Sequence, residues 1–221
     1  GVEESDVKHR FELDFWEDNF EKEKGNFSNH DYKELMCAVA GEKNGSFLDG
    51  KVVADFGCGP RGSLAWAKNA GIRIGIDVLA REYTDSFGEN LIEHEMIYVT
   101  SSEKYIPIPD NCVDYLFTIN SLDHVLYLDE MCKEIKRIIK PEGVLIGSFN
   151  LFEPYTECEP QTLTEDNLKR LLFDDFHITQ YRVAPIDKNS VYNNMYQESY
   201  VDSPDGSYPC VLWMKGVKKF S

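Results

Sequence analysis

Lys51-Val52-Val53-Ala54-Asp55-Phe56-Gly57-Cys58-Gly59-Pro60-Arg61-Gly62 decides the fold of this 221-residue chain. The first half is a short, mostly apolar run ending at glycine, the mark of a strand buried in a parallel sheet. The second half sets Gly57, Gly59 and Gly62 as G-x-G-x-x-G. Glycines let a backbone turn tightly and approach a ligand. Ser63–Lys68 reads as a helix closed by Gly71, whose first turn would offer free N–H groups. Asp77 lies twenty residues beyond Gly57 (77 − 57 = 20), at the end of a second strand marked by Ile72, Ile74 and Ile76. A carboxylate there can take both hydroxyls of a ribose. Loop, flanks and acid together predict a site for a ribose-bearing ligand.

The same rhythm continues toward the C-terminus. A helix is expected around Leu79–Phe87, a brief strand at Met96–Val99, a strand at Val113–Ile119, a helix over Asp129–Ile139 and, after Lys140-Pro141-Glu142-Gly143, a strand at Val144–Phe149. Strands alternating with helices predict βαβ units and a parallel sheet. Beyond residue 150 the pattern changes: Thr164–Leu172 reads as a helix, and His177–Val183 and Cys210–Lys218 read as strands. No helical pattern separates that last pair, so they are expected to be antiparallel, joined by a polar, Tyr-rich connection over 185–208. Toward the N-terminus, Val7, Phe11, Phe15, Trp16 and Phe20 recur at near-helical spacing. A second short helix is expected after Ser28, with Asp31 in a capping-box variant and a stop at Gly41. The chain is therefore read as one domain: a helical cap (1–48), a ligand-binding core (49–150) and C-terminal strands with a long insert (151–221).

Charge narrows the partners. Lys and Arg number 23 against 39 Asp and Glu, so 23 − 39 = −16. Phosphate backbones and anionic membrane surfaces are disfavoured by such a balance. The 42% hydrophobic content is too high for a disordered chain. Residues 1–36 carry eleven acidic and five basic side chains, −6 of the total. Six scattered cysteines without C-x-x-C or zinc-ligand spacing are expected to be reduced thiols of a cytoplasmic protein, and no metal site is expected from them. Gly1–Asp6 is acidic and lacks the apolar core of a signal peptide, and no apolar run reaches membrane-spanning length.

Asp55 sits two places before Gly57, where a dinucleotide site generally has an apolar residue. It is poor company for a pyrophosphate and good company for a cation. Asp55-Phe56-Gly57-Cys58-Gly59-Pro60 resembles the first motif of the class I S-adenosylmethionine-dependent methyltransferases. Ile74-Gly75-Ile76-Asp77 resembles their second motif. Ile106–Asp114 is similar to "L-P-F-P-D-x-x-F-D", and Arg137–Gly143 to "R-x-L-K-P-G-G" with Glu142 in a glycine's place. The resemblance covers about residues 50–150 well. It implies a Rossmann-like, doubly wound, mostly parallel seven-stranded α/β sheet with an antiparallel C-terminal strand and N-terminal lid helices.

Under this resemblance, S-adenosylmethionine is the cofactor and S-adenosylhomocysteine its product. The cofactor residues are Asp55, Gly57, Cys58, Gly59, Asp77, Val78, Asn120 and Ser121, with Ser102 or, preferentially, Glu103 at the adenine. The expected methyl acceptor is a small molecule, with a protein as the alternative. His124 is the candidate base and Asp123 its orienter, if the acceptor must lose a proton. The bland alternative is that His124 only caps or packs. Phe15, Trp16 and Phe20 are expected to form a core face rather than a substrate stack. Tyr192, Tyr196, Tyr200 and Tyr208 are expected to anchor their loop or to wall the acceptor. The rival readings are a nicotinamide-dependent Rossmann oxidoreductase and a non-catalytic S-adenosylmethionine-binding regulator.

Overall fold

A computed structural model describes residues 2–220. Helices α1 (Val2–Lys22) and α2 (Tyr32–Ala40) precede strands β1 (Val52–Phe56) and β2 (Ile72–Asp77). Then come α3 (Ala80–Ile92), β3 (Ile97–Thr100), β4 (Val113–Ile119), α4 (Leu128–Ile138) and β5 (Ile139–Leu151). The chain closes with α5 (Glu165–Leu171), β6 (Phe176–Pro185), the single turn α6 (Asn193–Tyr196) and β7 (Cys210–Lys218). All seven strands form one sheet in the order β3-β2-β1-β4-β5-β7-β6. β1 to β5 pair in parallel, and β7 runs antiparallel between β5 and β6. This is the expected Rossmann-like architecture. The chain steps outward from β1 to β3 and then returns to β4, so the strand order reverses between β1 and β4. Ligand crevices of such sheets open at that reversal, beyond the strands' C-terminal ends.

Alternation of side chains across the pleat builds two apolar layers. Ala54, Phe56, Leu116, Leu145, Leu212 and Met214 join α4 and α5 on one face. Val53, Phe117, Ile146, Val211 and Trp213 meet α2, Leu64 and Met195 on the other. A third cluster ties the lid to the sheet: Phe27, Leu79, Tyr83, Phe87 and Leu91 pack with Leu13, Trp16 and Phe20. The two distal motifs are bound together by one side chain. Arg137 donates to the carbonyls of Ile106 (2.7 Å) and Ile108 (2.8 Å) and pairs with Asp110 and Glu134. It thereby locks the approach to β4 against α4. Glu142 keeps φ at +66°, the left-handed conformation suited to the glycine it replaces.

Three local expectations are corrected. Ser63–Lys68 forms no helix; residues 60–71 pass through turns. Ala65, Ala67 and Ala70 bond to carbonyls three residues back, and the guanidinium of Arg73 takes the Leu64 and Ala65 carbonyls that a helix would use. Leu64 and Ala67 are nonetheless buried, so the apolar pattern is satisfied without the helix. Asp31 sits at the N-cap of α2 but makes no side-chain cap bond, so the capping box is absent there. β5 begins at Ile139 rather than Val144, because the predicted turn is drawn into the strand. Elsewhere the match is close: β4 and β7 have the expected bounds, and Thr164 with Asn167 forms a capping box at α5.

Candidate active site

The C-terminal ends of β1 and β2 set two carboxylates beside the glycine loop. Both lie in a cavity of about 670 Å³ roofed by α1. Asp55 is buried, and Ser63 Oγ donates to its Oδ2 at 2.5 Å, while Oδ1 has no partner. Burial pushes its pKa up to about 7, with the Ser63 bond opposing and Asp77 adding to the rise. Asp77 accepts the N–H of Gly59 through Oδ2 and that of Leu79 through Oδ1, each at 3.0 Å. Burial raises it to about 6 against those two bonds. A carboxylate oxygen has more than one acceptor site, so both can take further donors.

The glycines have separate jobs. Gly57 (φ +74°) and Gly59 (φ +61°) occupy left-handed backbone. A Cβ on Gly57 would lie 2.3 Å from Ser121 Cβ, and one on Gly59 would lie 3.1 Å from the Trp16 ring. Gly57 and Cys58 donate to the Ile76 carbonyl, so these N–H groups hold the loop against β2. Gly62 belongs to packing instead: a Cβ there would lie 2.4 Å from the His94 ring. With no helix behind the loop, there is no helix N-terminus for an anion. Cys58 is buried, and burial raises its thiol well above the usual range. Val78 lines the cavity next to Asp77.

Of the two adenine candidates, Glu103 lines the cavity and Ser102 does not. Ser102 is exposed and bonded to its own turn, at the Tyr105 carbonyl and the Lys104 N–H. Glu103 Oε1 receives Lys8 Nζ and His9 Nε2 from α1, each at 2.7 Å. Burial would raise its carboxyl, but these two partners hold it down at about 2. Sequence reasoning missed Ser101, which also lines the cavity and carries a buried hydroxyl without a partner. The signal was there in its position, directly after Thr100, the last residue of β3 and the one paired with Asp77.

Asn120 and Ser121 stand on the turn after β4. Asn120 adopts φ +49°, accepts Ser148 Oγ at 2.7 Å and donates to Tyr192 Oη at 2.6 Å. Ser121 donates to the Phe56 carbonyl at 2.8 Å and contacts Thr118 Oγ1 at 2.9 Å. Both line the cavity, yet their side-chain bonds are spent on shaping it.

Comparison with known proteins agrees with this geometry. Residues 54–147 match the family described as "Methyltransferase domain". Two curated relatives, uncharacterized methyltransferases of two Mycobacterium leprae strains, are 28% identical over 104 residues. That stretch is 47% of this chain and 38% of theirs, so the chain aligns with well under half of their length. Over residues 54–147, from β1 into β5, the chain is therefore similar to methyltransferase domains. Its fold is shared with a Haloferax volcanii structure of the Trm112 methyltransferase activator in complex with a methyltransferase, at TM-score 0.62 and 16% identity over 96% of this chain and 98% of that one. It is also shared with a Thermotoga maritima methyltransferase described as a possible histamine N-methyltransferase, at TM-score 0.60 and 16% identity with the same coverage of both chains.

Similarity to methyltransferases implies S-adenosylmethionine as the cofactor, and the residues present fit that group. An unpartnered buried carboxylate oxygen suits an ammonium, the acid at the end of β2 suits a ribose, and the glycine loop has no room for side chains. Five carboxylates (Glu12, Asp55, Asp77, Glu103, Glu159) and one Lys line the cavity among the described residues, a balance suited to a cationic ligand.

The other end of the cavity is assembled from distant segments. His124 closes a short 3₁₀ turn, Leu122–His124, and lines the wall. Its Nδ1 lies 3.3 Å from Glu12 Oε1 of α1, while its Nε2 lies 3.8 Å from Asp123 Oδ1. The carboxylate within hydrogen-bonding reach of the ring is thus Glu12, which sequence reasoning did not single out. Burial lowers the affinity of His124 for a proton, but Glu12 and Asp123 outweigh it and the pKa is raised. Phe11, Phe15 and Trp16 line the cavity, and Phe11 and Phe15 are more than half exposed. The apolar stripe of α1 therefore divides: Trp16 and Phe20 pack inward, while Phe11 and Phe15 edge the opening. Tyr192 lines the cavity from the long insert; Tyr196, Tyr200 and Tyr208 do not, and Tyr200 anchors the insert edge-to-face on Trp213. All six cysteines are free thiols. No helix among the described residues is long and apolar enough to cross a membrane.

Proposed function

We propose that this chain transfers a methyl group from S-adenosylmethionine to a small-molecule acceptor that is neutral or cationic. The observation that carries the reading is Asp55, whose buried, unpartnered Oδ1 stands beside the glycine loop in a cavity dominated by carboxylates. When bound, the cofactor supplies an electrophilic methyl on a sulfonium, and holding an acceptor in line with it accounts for much of the rate. The chain's own residues divide the remaining work. Asp77 takes the ribose hydroxyls, Ser101 and Glu103 flank the adenine, and Asp55 takes the amino-acid end. Asn120 and Ser121 hold the turn that separates cofactor from acceptor. His124, oriented by Glu12, is the group within the cavity suited to receive an acceptor proton on Nε2. The α1 roof excludes water through Trp16 over Gly59 and the Lys8–Glu103 pair.

The acidic lining supports a preference for cationic over anionic acceptors, because the field at such an entrance repels anions. The Thermotoga maritima neighbour, whose description names an amine, makes amines the first class to try. Calorimetry should show S-adenosylhomocysteine binding that NADH does not displace; displacement by NADH would revive the oxidoreductase reading. Donor consumption should then be screened over matched amines, alcohols and carboxylates at low and high salt. A preference for carboxylates at low salt would end the charge argument. His124→Ala should cut turnover and leave S-adenosylhomocysteine affinity near wild type.

A further inference from the structure

Asp123, His124 and Glu159 converge at the acceptor end, where one donor atom of each lies within 4.8 Å of the other two. Two come from the turn after β4 and the third from the connection after β5. The convergence is built rather than incidental. Gln161 N–H bonds to the Asp123 carbonyl at 3.1 Å, and Gln161 Nε2 reaches the Val125 and Leu126 carbonyls. Thr156 pins Glu159 through paired backbone bonds and through its hydroxyl, which accepts the Glu159 N–H at 2.9 Å.

Three further features indicate what such a cluster holds. Asp123 is only 3% exposed, and its Oδ1 accepts no hydrogen bond. That oxygen lies 3.8 Å from His124 Nε2, too far for a hydrogen bond. It is, however, only a few tenths of an ångström beyond the roughly 3.4 Å that separates two ligands of one tetrahedral ion at about 2.1 Å each, a gap that a small rotation of either side chain closes. Glu12 Oε1, 3.3 Å from Nδ1, favours the tautomer that donates from Nδ1 and turns the Nε2 lone pair toward the carboxylates. A carboxylate behind the far nitrogen is the usual support of a metal-binding histidine. Among the described residues no Lys or Arg forms an ion pair with Asp123 or Glu159.

We infer that Asp123, His124 and Glu159 form a binding site for a divalent first-row cation such as Mn²⁺ or Zn²⁺, with Glu12 orienting the imidazole. Two carboxylates neutralise the ion, and the imidazole favours a transition metal over Mg²⁺ or Ca²⁺. Three protein ligands leave coordination positions open to the cavity. The site itself stands apart from the methyltransferase reading; only a role in binding the acceptor rests on it. An ion there also takes the His124 Nε2 lone pair. The two roles of His124 therefore divide on Glu159, which an ion needs and a simple base does not.

The test is a titration of the full chain with Mn²⁺, reading free Mn²⁺ by its paramagnetic resonance signal, at physiological ionic strength and in excess Mg²⁺. Saturable binding of one ion per chain is expected. Glu159→Gln, on a partly exposed loop, should weaken it at least about 10-fold, and Glu12→Gln by about 10- to 100-fold. Asp123→Asn should abolish it, with the thermal melt checked beside it because that residue is buried. Unsaturable binding displaced by Mg²⁺, or binding that Glu159→Gln leaves unchanged, is adventitious attraction to an acidic chain and overturns the site. S-adenosylhomocysteine affinity measured on the same samples separates the two readings. Mn²⁺ binding without cofactor binding removes only the methyltransferase reading, and the reverse removes only the metal site.

Discussion

The two ends of the cavity are built on different principles. At the proposed cofactor end, Asp55, the glycine loop and Asp77 come from residues 55–77, on neighbouring strands in fixed register: Asp55 stands opposite Gly75, and Phe56 opposite Ile76. At the acceptor end, Glu12, His124, Glu159 and Tyr192 come from four segments spread over almost the whole chain and meet through loops and a lid. The first end is held by ladder hydrogen bonds, so a single residue change is transmitted rigidly. The second is held by side-chain contacts, in which a small loss can be absorbed by movement. Rigidity at one end and adaptability at the other suit a site that must hold one cofactor and admit particular acceptors.

The contrast is broken most severely at Gly57. In Gly57→Ala the new Cβ meets Ser121 at 2.3 Å, and the left-handed backbone adds roughly 1–2 kcal/mol for any L side chain. S-adenosylhomocysteine affinity should fall at least about 100-fold, about 2.7 kcal/mol by calorimetry. Pairing it with Ser121→Gly should recover the steric part and leave the backbone part. Full recovery would mean that the loop bends more easily than the ladder argument allows.

A second large effect is pH-dependent. Burial raises Asp55 to about 7 and Asp77 to about 6, both above the 3.8 of a free Asp. Between about pH 4 and pH 7 the unfolded chain releases these protons and the folded chain keeps them, so stability falls as pH rises through this window and then levels off. The slope approaches about 1.4 kcal/mol per pH unit for each group. The melting temperature of the ligand-free protein should therefore drop from pH 5 to pH 7, and Asp55→Asn should make the drop shallower, with Asp77 and the likewise buried Asp123 keeping the rest. Glu103, held at about 2 against 4.5 for a free Glu, makes its opposite contribution between those values, so it is nearly complete by pH 5 and does not mask the drop above it. An unchanged curve in Asp55→Asn would show that Asp55 is ionised and solvated in the folded chain.

This rigid end was also the legible end. Lys51–Gly62 and Ile72–Asp77 announce strand, loop and acid because their partners lie within a few residues of one another. The misreading of Ser63–Lys68 has the same root: a helical pattern over six residues was overridden by Arg73, whose guanidinium takes the carbonyls from the next strand. Glu12 was hidden among the charges of α1, and only the lid's docking on the β4 turn brings it to His124. Glu159 lies in a stretch with no periodicity at all. Distances across more than a hundred residues leave no trace in local spacing.

Asp77→Ala gives a smaller loss than Gly57→Ala. It removes acceptors for the Gly59 and Leu79 N–H groups as well as the proposed ribose contacts. Hydrogen bonds to a charged group contribute about 1.5–3 kcal/mol, so S-adenosylhomocysteine should bind about 10- to 100-fold more weakly. Asp77→Asn, which keeps one acceptor oxygen, should fall between wild type and Ala. Unchanged affinity in Asp77→Ala would remove the ribose assignment.

The smallest effect lies at the outer edge of the proposed cofactor end, in the pair Ser101 and Ser102, just after β3. Ser101 is buried with a hydroxyl that no protein group satisfies, whereas Ser102 is exposed and bonded within its own turn. A neutral hydrogen bond gained from a ligand contributes about 0.5–1.5 kcal/mol. Ser101→Ala should accordingly weaken S-adenosylhomocysteine by a few-fold, and Ser102→Ala should leave it unchanged. The reverse ranking would move the adenine contact one residue along and out of the cavity wall. Equal losses would mean that the β3 end shifts when the ligand binds, and the cofactor end would then be less rigid than its ladder of hydrogen bonds implies.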